Sequence, residues 1–349
     1  MRARHACLLA AAVLSLPALF AQVPGGAPAE HDIRPGPGVT ATKMLSAYAP
    51  GLANTPGDTM VYVLEGREAG GTAFVAGGTH GNEIAGIMAA IVVVERVRVA
   101  TGRLIVIPHA NNSAVAYTDA QRPGPEWITI ATASGTRRFK YGARRTRPED
   151  QGAPDPPKYR HPASSEELDG REVRNLDRAY PGDPTGPLTQ RVAAAIMRVL
   201  KDERADLAFD LHEAGPESRL AWMIVANPKN IDMGALTVLA LEVQGLSMKL
   251  EPSSETFRGL SHREWGDATG ARAFLVETPN PGQVEQPAGA DVVTHQDSPL
   301  AKRVGAQLAT LGAVIAVFNG EVGAAARIEL RDLPSMADLV RDGLGQYLK

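Results

Sequence analysis

Cysteine is almost absent from this 349-residue chain: the one copy, Cys7, sits inside the first apolar run. That excludes a disulfide framework and any thiolate metal site, so a metal here must be held by His, Asp or Glu. An excess of charge is missing too. Lys and Arg total 36 against 39 Asp and Glu, a formal net charge of -3, which excludes a global field that recruits nucleic acid or an anionic membrane. A comfortable membrane span is also missing from the N-terminal apolar run, "ACLLAAAVLSLPALFA", because Ser15 and Pro17 interrupt it and it ends at Ala21. Preceded by Arg2 and Arg4 and ending in small residues, residues 1–21 read as a secretory signal, so the chain is expected to be exported, to the periplasm or outside the cell. No stable membrane span is expected once the signal is removed.

What is present is a globular composition, 44% hydrophobic and 21% charged, enough for one large or two small domains. A Pro/Gly-rich stretch follows the leader, and residues 22–55 are taken as an N-terminal extension to a domain over 56–349. Met60–Gly66, Thr72–Gly78, Arg103–Asn111, Asp206–His212, Leu220–Asn227 and Ala271–Thr278 read as strands. Helical patterns begin at Asn82, Leu188, Ile231, Leu300 and Met336. Several strands are nearly continuous apolar runs alternating with helices, which predicts an α/β fold: a mixed, mostly parallel sheet covered by helices on both faces. Residues 112–172, rich in Arg, Pro and Gly, show no regular period and read as a long loop, of the kind that serves as a lid or specificity wall.

In such sheets chemistry gathers at the carboxyl ends of strands. "GGTHGNE" puts His80 and Glu83 after one strand, "DLAFDLH" ends on His212, and "ARAFLVET" carries Glu277 near its end. An HxxE pair alone is a weak signal. Together, two imidazoles and a carboxylate make a three-ligand set of the kind a catalytic zinc takes while keeping one position open. Glu277, left over, suits proton transfer to and from water. Asp210, two residues before His212 on the same strand face, either orients that imidazole or pairs with Arg178 or a helix start. Arg171, Arg174 and Arg178 in "REVRNLDRAYPGDP" offer guanidinium forks that suit a substrate carboxylate, though a solvated basic loop has the same pattern. Of the remaining histidines, His109 stands at a strand end where it could line the pocket, while His161, His262 and His295 are expected in loops.

"GGTHGNE", "NLDRAYPG", "DLHE" and "FLVET", in this order over roughly Val61–Thr278, resemble the zinc carboxypeptidase superfamily, especially its succinylglutamate desuccinylase/aspartoacylase branch. The resemblance implies a zinc carboxypeptidase-like fold with one Zn2+ per chain, His80, Glu83 and His212 as its ligands, and Glu277 as general base. It implies Arg178 as the clamp for a substrate carboxylate, and a second arginine on the scissile carbonyl, for which Arg171 is the nearest positional candidate with Arg174 behind it. Asp177 departs from the pattern, standing where the family usually has Asn, and puts an anion beside the carboxylate clamp. No run of alternating strands follows Thr278, so the small β-rich domain of aspartoacylase-like enzymes is not expected. The implied activity is hydrolysis of an amide bond next to a carboxylate-bearing residue, in a C-terminal peptide or an N-acyl amino acid. The alternative is a non-catalytic metal- or peptide-binding protein on the same fold.

Overall fold

The computed structural model describes residues 33–119, 124–284 and 290–349. The leader read at 1–21 lies outside them, as do His5 and His31. The chain runs β1 (Ala41–Met44), β2 (Met60–Glu65), β3 (Glu68–Gly77), α1 (Ile84–Arg96), β4 (Arg98–Ile107) and α2 (Asn112–Ala116). Next come β5 (Trp127–Thr132), β6 (Gly135–Lys140), α3 (Pro148–Gln151), β7 (Lys158–Tyr159), β8 (Leu168–Asp169) and α4 (Leu188–Asp202). The remainder is β9 (Leu207–Ala214), β10 (Met223–Ala226), α5 (Ile231–Val243), β11 (Lys249–Pro252), α6 (Ser261–Thr269), β12 (Arg272–Pro279), α7 (Leu300–Glu321), β13 (Glu329–Arg331) and α8 (Met336–Asp342).

One sheet organises these elements, in the order β1-β2-β4-β3-β9-β12-β10-β11, with β13 added against β4. The central strands β4, β3, β9 and β12 run parallel; β2 and β10 reverse the direction on either side. β9 is buried along its whole length, "LAFDLHEA", because helices cover both faces. α1, α5 and α7 pack an aliphatic core on one side, from Val75 and Phe209 to Leu308 and Val314. On the other side α4 and α6 enclose a second core around Trp265, whose ring meets Phe74 and Tyr180 edge-on, each at 5.4 Å. The mixed, mostly parallel sheet read from the apolar runs is therefore present.

Three departures from the sequence reading matter. Residues 41–44, placed in the extension, form β1 and pair antiparallel with β2. Within the expected loop at 112–172, "WITIATASGTRRFK" folds into the β5–β6 hairpin, turning at Gly135 with φ 115°. Finally, β11 and β13 are short edge strands that no periodicity announced. α7 is the one helix among the described residues long and apolar enough to cross a membrane, but 67% of its apolar window is buried in the core.

Candidate active site

The site forms where β3, β9 and β12 end. Gly78 closes β3 with φ +71°, a conformation that favours glycine, and turns the chain toward α1. Gly81 then lies so close to the 112–143 segment that a Cβ would sit 2.4 Å from the Ala114 carbonyl. In its place the backbone pairs: Gly81 N–H donates to Ala143 O at 2.7 Å, and Gly142 N–H to Gly81 O at 2.8 Å. This turn sets His80 and Glu83 on the pocket side. Glu83 occupies the N-cap position of α1 but makes no cap hydrogen bond. Glu213, from β9, takes over that task and accepts the Ala85 N–H at 2.9 Å. Glu83 is thereby free to face the two imidazoles.

The three expected ligands meet. Glu83 Oε1 lies 2.7 Å from His80 Nδ1 and Glu83 Oε2 lies 2.9 Å from His212 Nδ1, with the two rings 4.8 Å apart and nearly perpendicular. All three side chains are buried. One donor atom from each falls within 4.8 Å of the others, a group that can hold a metal ion.

The hydrogen-bond network tests whether these donors suit a cation. Asn175 Oδ1 accepts the Asp177 N–H at 3.0 Å, and its Nδ2 donates to Glu172 Oε2 at 2.6 Å, which fixes which end of the amide is oxygen. Oδ1 also lies 2.8 Å from His80 Nε2, so Nε2 must carry the hydrogen. The lone pair of His80 Nδ1 then points at a carboxylate oxygen. His212 is in close ionic contact on both sides, its Nε2 2.9 Å from Asp210 Oδ2 and its Nδ1 2.9 Å from Glu83 Oε2. Asp210 is itself held by the Thr79 hydroxyl at 2.8 Å. At His80 an acceptor faces an acceptor across 2.7 Å, which needs a proton or a metal between them, and with His212 on the same carboxylate a zinc-type donor set fits.

Electrostatics follow from burial and these neighbours. Burial would raise Glu83, but the two imidazoles outweigh it and hold its carboxyl well below the usual range. Burial would lower His212, but Asp210 and Glu83 push it well above its ordinary value; His80 is lowered, by burial first and by Arg144 second. Glu277 stands beside His212 in the β9–β12 register. Burial, reinforced by Glu83, lifts its carboxyl to about 8, and its Oε2 is buried without a hydrogen-bond partner.

Arg178 and Asp177 also line the pocket, a cavity of about 330 Å3. Asp177 Oδ1 accepts the Ser261 N–H at 2.8 Å and so caps α6 from a distance, while Oδ2 sits 3.2 Å from Arg178 Nη1. The departure from the family pattern is thus occupied by a helix N-terminus and a guanidinium. Arg178 lies over the Phe257 ring, 4.7 Å from its centroid. Arg171 and Arg174 do not reach the pocket. Arg171 is half exposed and pairs with Asp169 at 2.8 Å, and Arg174 is buried against Asp155 and the Thr146 carbonyl. The second arginine at the site is Arg144, whose Nη1 lies 3.4 Å from both Glu83 Oε1 and His80 Nδ1. Sequence reasoning missed it because nothing marks it out among the arginines of 137–147. It also missed Gln283, which donates to Glu83 at 3.2 Å, and His262, which lines the pocket instead of lying in a loop. Burial brings His262 down to about 4, a neutral imidazole. His109 is buried outside the pocket lining.

No protein-family profile matches the chain. Over 151 residues, 43% of this chain and 30% of the other, it is 30% identical to N-alpha-acetyl-L-2,4-diaminobutyric acid deacetylase of Halomonas elongata. Among solved structures it is similar to the cell shape determinant protein Csd4 of Helicobacter pylori, with a TM-score of 0.51 and 11% identity over 81% of this chain and 59% of that one. It is also similar to a succinylglutamate desuccinylase from a Silicibacter species, with a TM-score of 0.45 and 21% identity over 75% and 60% of the two chains. The chain thus spans less than two thirds of either the curated relative or these structures. The chain shares the fold of the Csd4 structure, and its weaker structural neighbours include proteins of the succinylglutamate desuccinylase/aspartoacylase family and a metallo-carboxypeptidase.

Proposed function

We propose that this chain is a zinc-dependent hydrolase that cleaves an amide bond next to a carboxylate-bearing residue, in a C-terminal peptide or an N-acyl amino acid. The observation that carries this reading is the meeting of two buried imidazoles on one buried carboxylate, with a further carboxylate, Glu277, whose Oε2 is buried without a partner in the same cavity. His80, Glu83 and His212 would hold the ion, and when bound it supplies Lewis acidity to a carbonyl oxygen and to water at that point.

The chain's own residues do the rest. Glu277 takes a proton from the attacking water and returns it to the leaving nitrogen, and its raised pKa suits a group that must hold that proton between the two steps. Arg144, leaning over the ligands from the 112–172 segment, is the guanidinium placed to meet the carbonyl oxygen, the role expected of Arg171 or Arg174. Arg178 receives the substrate carboxylate, backed by Phe257. Asn175 holds the His80 imidazole in the required tautomer, and the Asp210 carboxylate stands against the His212 ring. The relative in Halomonas elongata is named for deacetylation of an N-acylated amino acid, which supports the N-acyl class. Export, inferred from the leader, would place the reaction outside the cytoplasm.

Elemental analysis of the purified protein and a hydrolysis screen over C-terminal peptides and N-acyl amino acids test this directly. One zinc per chain and turnover lost on chelation are expected. Glu277→Gln should lower kcat by about 100- to 10,000-fold with metal retained. Wild-type turnover in Glu277→Gln, or undiminished turnover after the metal is stripped, would sink the proposal.

A further inference from the structure

Strand register extends the pocket away from the ligands. On the pocket face, Asp210 of β9, Leu275 of β12, Val225 of β10 and Glu251 of β11 stand in one row across four strands. His212 and Glu277 stand in the neighbouring row, two residues along. Leu275 and Val225 are 3% and 7% exposed and, with Met223 and Leu220, form a small apolar cluster apart from the two main cores. Hydrolysis as derived above makes no use of this floor.

At its end Glu251 is ion-paired with Arg219. The partners differ in how they are held. Glu251 belongs to a strand and its side chain is 31% exposed, whereas Arg219 lies in the connection before β10 and is 72% exposed. An exposed guanidinium contributes little to such a pair and is easily displaced. The pocket therefore ends in a strand-held carboxylate. Strands lie about 4.8 Å apart and rise about 3.3 Å per residue, so Glu277 on β12 and Glu251 on β11, two spacings across and two residues along, are separated by roughly 12 Å. Glu251's own side chain closes part of that gap, leaving the reach of one long unbranched side chain.

We propose that the pocket selects a leaving residue whose side chain is an unbranched apolar stem ending in a cation, the stem lying on Leu275 and Val225 and the cation meeting Glu251 in place of Arg219. Basic and diamino acids have that form. The inference rests on the hydrolase reading only for the word leaving; the subsite itself can be tested by binding.

The test compares kcat/KM for three matched substrates whose leaving residue is lysine, norleucine or glutamate, in wild type and Glu251→Gln. Lysine should lead norleucine by roughly threefold to tenfold, with glutamate last, and Glu251→Gln should collapse the lysine-to-norleucine ratio toward one. Equal rates for lysine and norleucine, an unchanged ratio in Glu251→Gln, or a preference for glutamate would overturn the proposal, the last pointing to Arg219 instead. If none of the three is hydrolysed, the hydrolase reading fails and calorimetry with free lysine, norleucine and glutamate still decides. Tighter lysine binding that Glu251→Gln removes upholds the subsite; equal affinities overturn it.

Discussion

His80, Glu83, His212 and Glu277 hang from the ends of β3, β9 and β12 and the mouth of α1, in the middle of a sheet whose strands are buried on both faces. Arg144 hangs from a segment with no long element of its own, held by a few backbone hydrogen bonds to Gly81, Ala114 and Arg174 and by side-chain ion pairs. Arg137 on β6 makes a bidentate pair with Glu95 on α1, both contacts at 2.8 Å and both side chains at most 1% exposed. Arg145 pairs with Glu172, and Arg174 with Asp155. Sheet register thus places the candidate ligands, whereas the candidate carbonyl arginine is placed by a few local backbone hydrogen bonds and by buried ion pairs around them. The two means fail differently: register yields only with the fold, whereas an ion pair is vulnerable to the loss of one partner or to acid.

The largest separation of the two regions is expected from Arg137→Met. Removing Arg137 leaves the buried Glu95 carboxylate to the Arg34 and Lys349 backbone N–H groups and should cost about 3–5 kcal/mol of stability, read as a lowered urea midpoint. Replacing both, with Glu95→Leu added, should recover part of it, because the desolvated charge is then gone while those two N–H groups lose their acceptor. If the ligands are held independently of this pair, folded Arg137→Met should keep its zinc affinity while kcat falls. An equal loss of both would mean that the hairpin also holds the ligands and would erase the contrast.

Arg144→Ala tests the contrast at the site itself. With one preorganised cationic donor removed from the carbonyl, kcat should drop about 100- to 1,000-fold, with the thermal midpoint lowered only slightly through the lost attraction to Glu83 and Glu172. Arg171→Ala, out in solvent against Asp169, should change neither. A larger effect from Arg171 than from Arg144 would reverse the assignment made from their positions.

The same contrast explains what could be read in advance. Parallel strands buried on both faces are apolar runs, so a polar residue at the end of one stands out, and His80, His212 and Glu277 were visible for that reason. The hairpin was hidden by the very residue that anchors it. β5 turns Ile128 and Ile130 inward and β6 turns Arg137 and Phe139 inward, so a charged residue occupies a core position and breaks the alternation. Arg144 was hidden because its place depends on Gly81 meeting Gly142 and Ala143, a contact between segments some sixty residues apart that no local period encodes. Arg171 misled by adjacency. It shares a motif with Arg178, but it lies in the 3-10 turn Gly170–Arg174 that points its side chain outward.

Acid offers the smallest and most local test. Burial would raise Glu172, but Arg144 and Arg145, with hydrogen bonds from Asn175 and Arg145, hold its carboxyl at about 2 against an ordinary 4.5. A depressed carboxylate stabilises the fold fully above its unfolded value and loses that contribution as pH falls through the folded one, so the window is 4.5 down to about 2. The amount at stake is on the order of 3 kcal/mol. Glu172 also grips Asn175, which sets the His80 tautomer. Protonation should therefore loosen the arginine segment and the hydrogen bond behind one ligand together. Denaturant midpoints measured across this window should fall more steeply in wild type than in Glu172→Gln, which already lacks the charge. Parallel slopes would mean that the arginines are held without Glu172, and the acid-labile half of the comparison would fall.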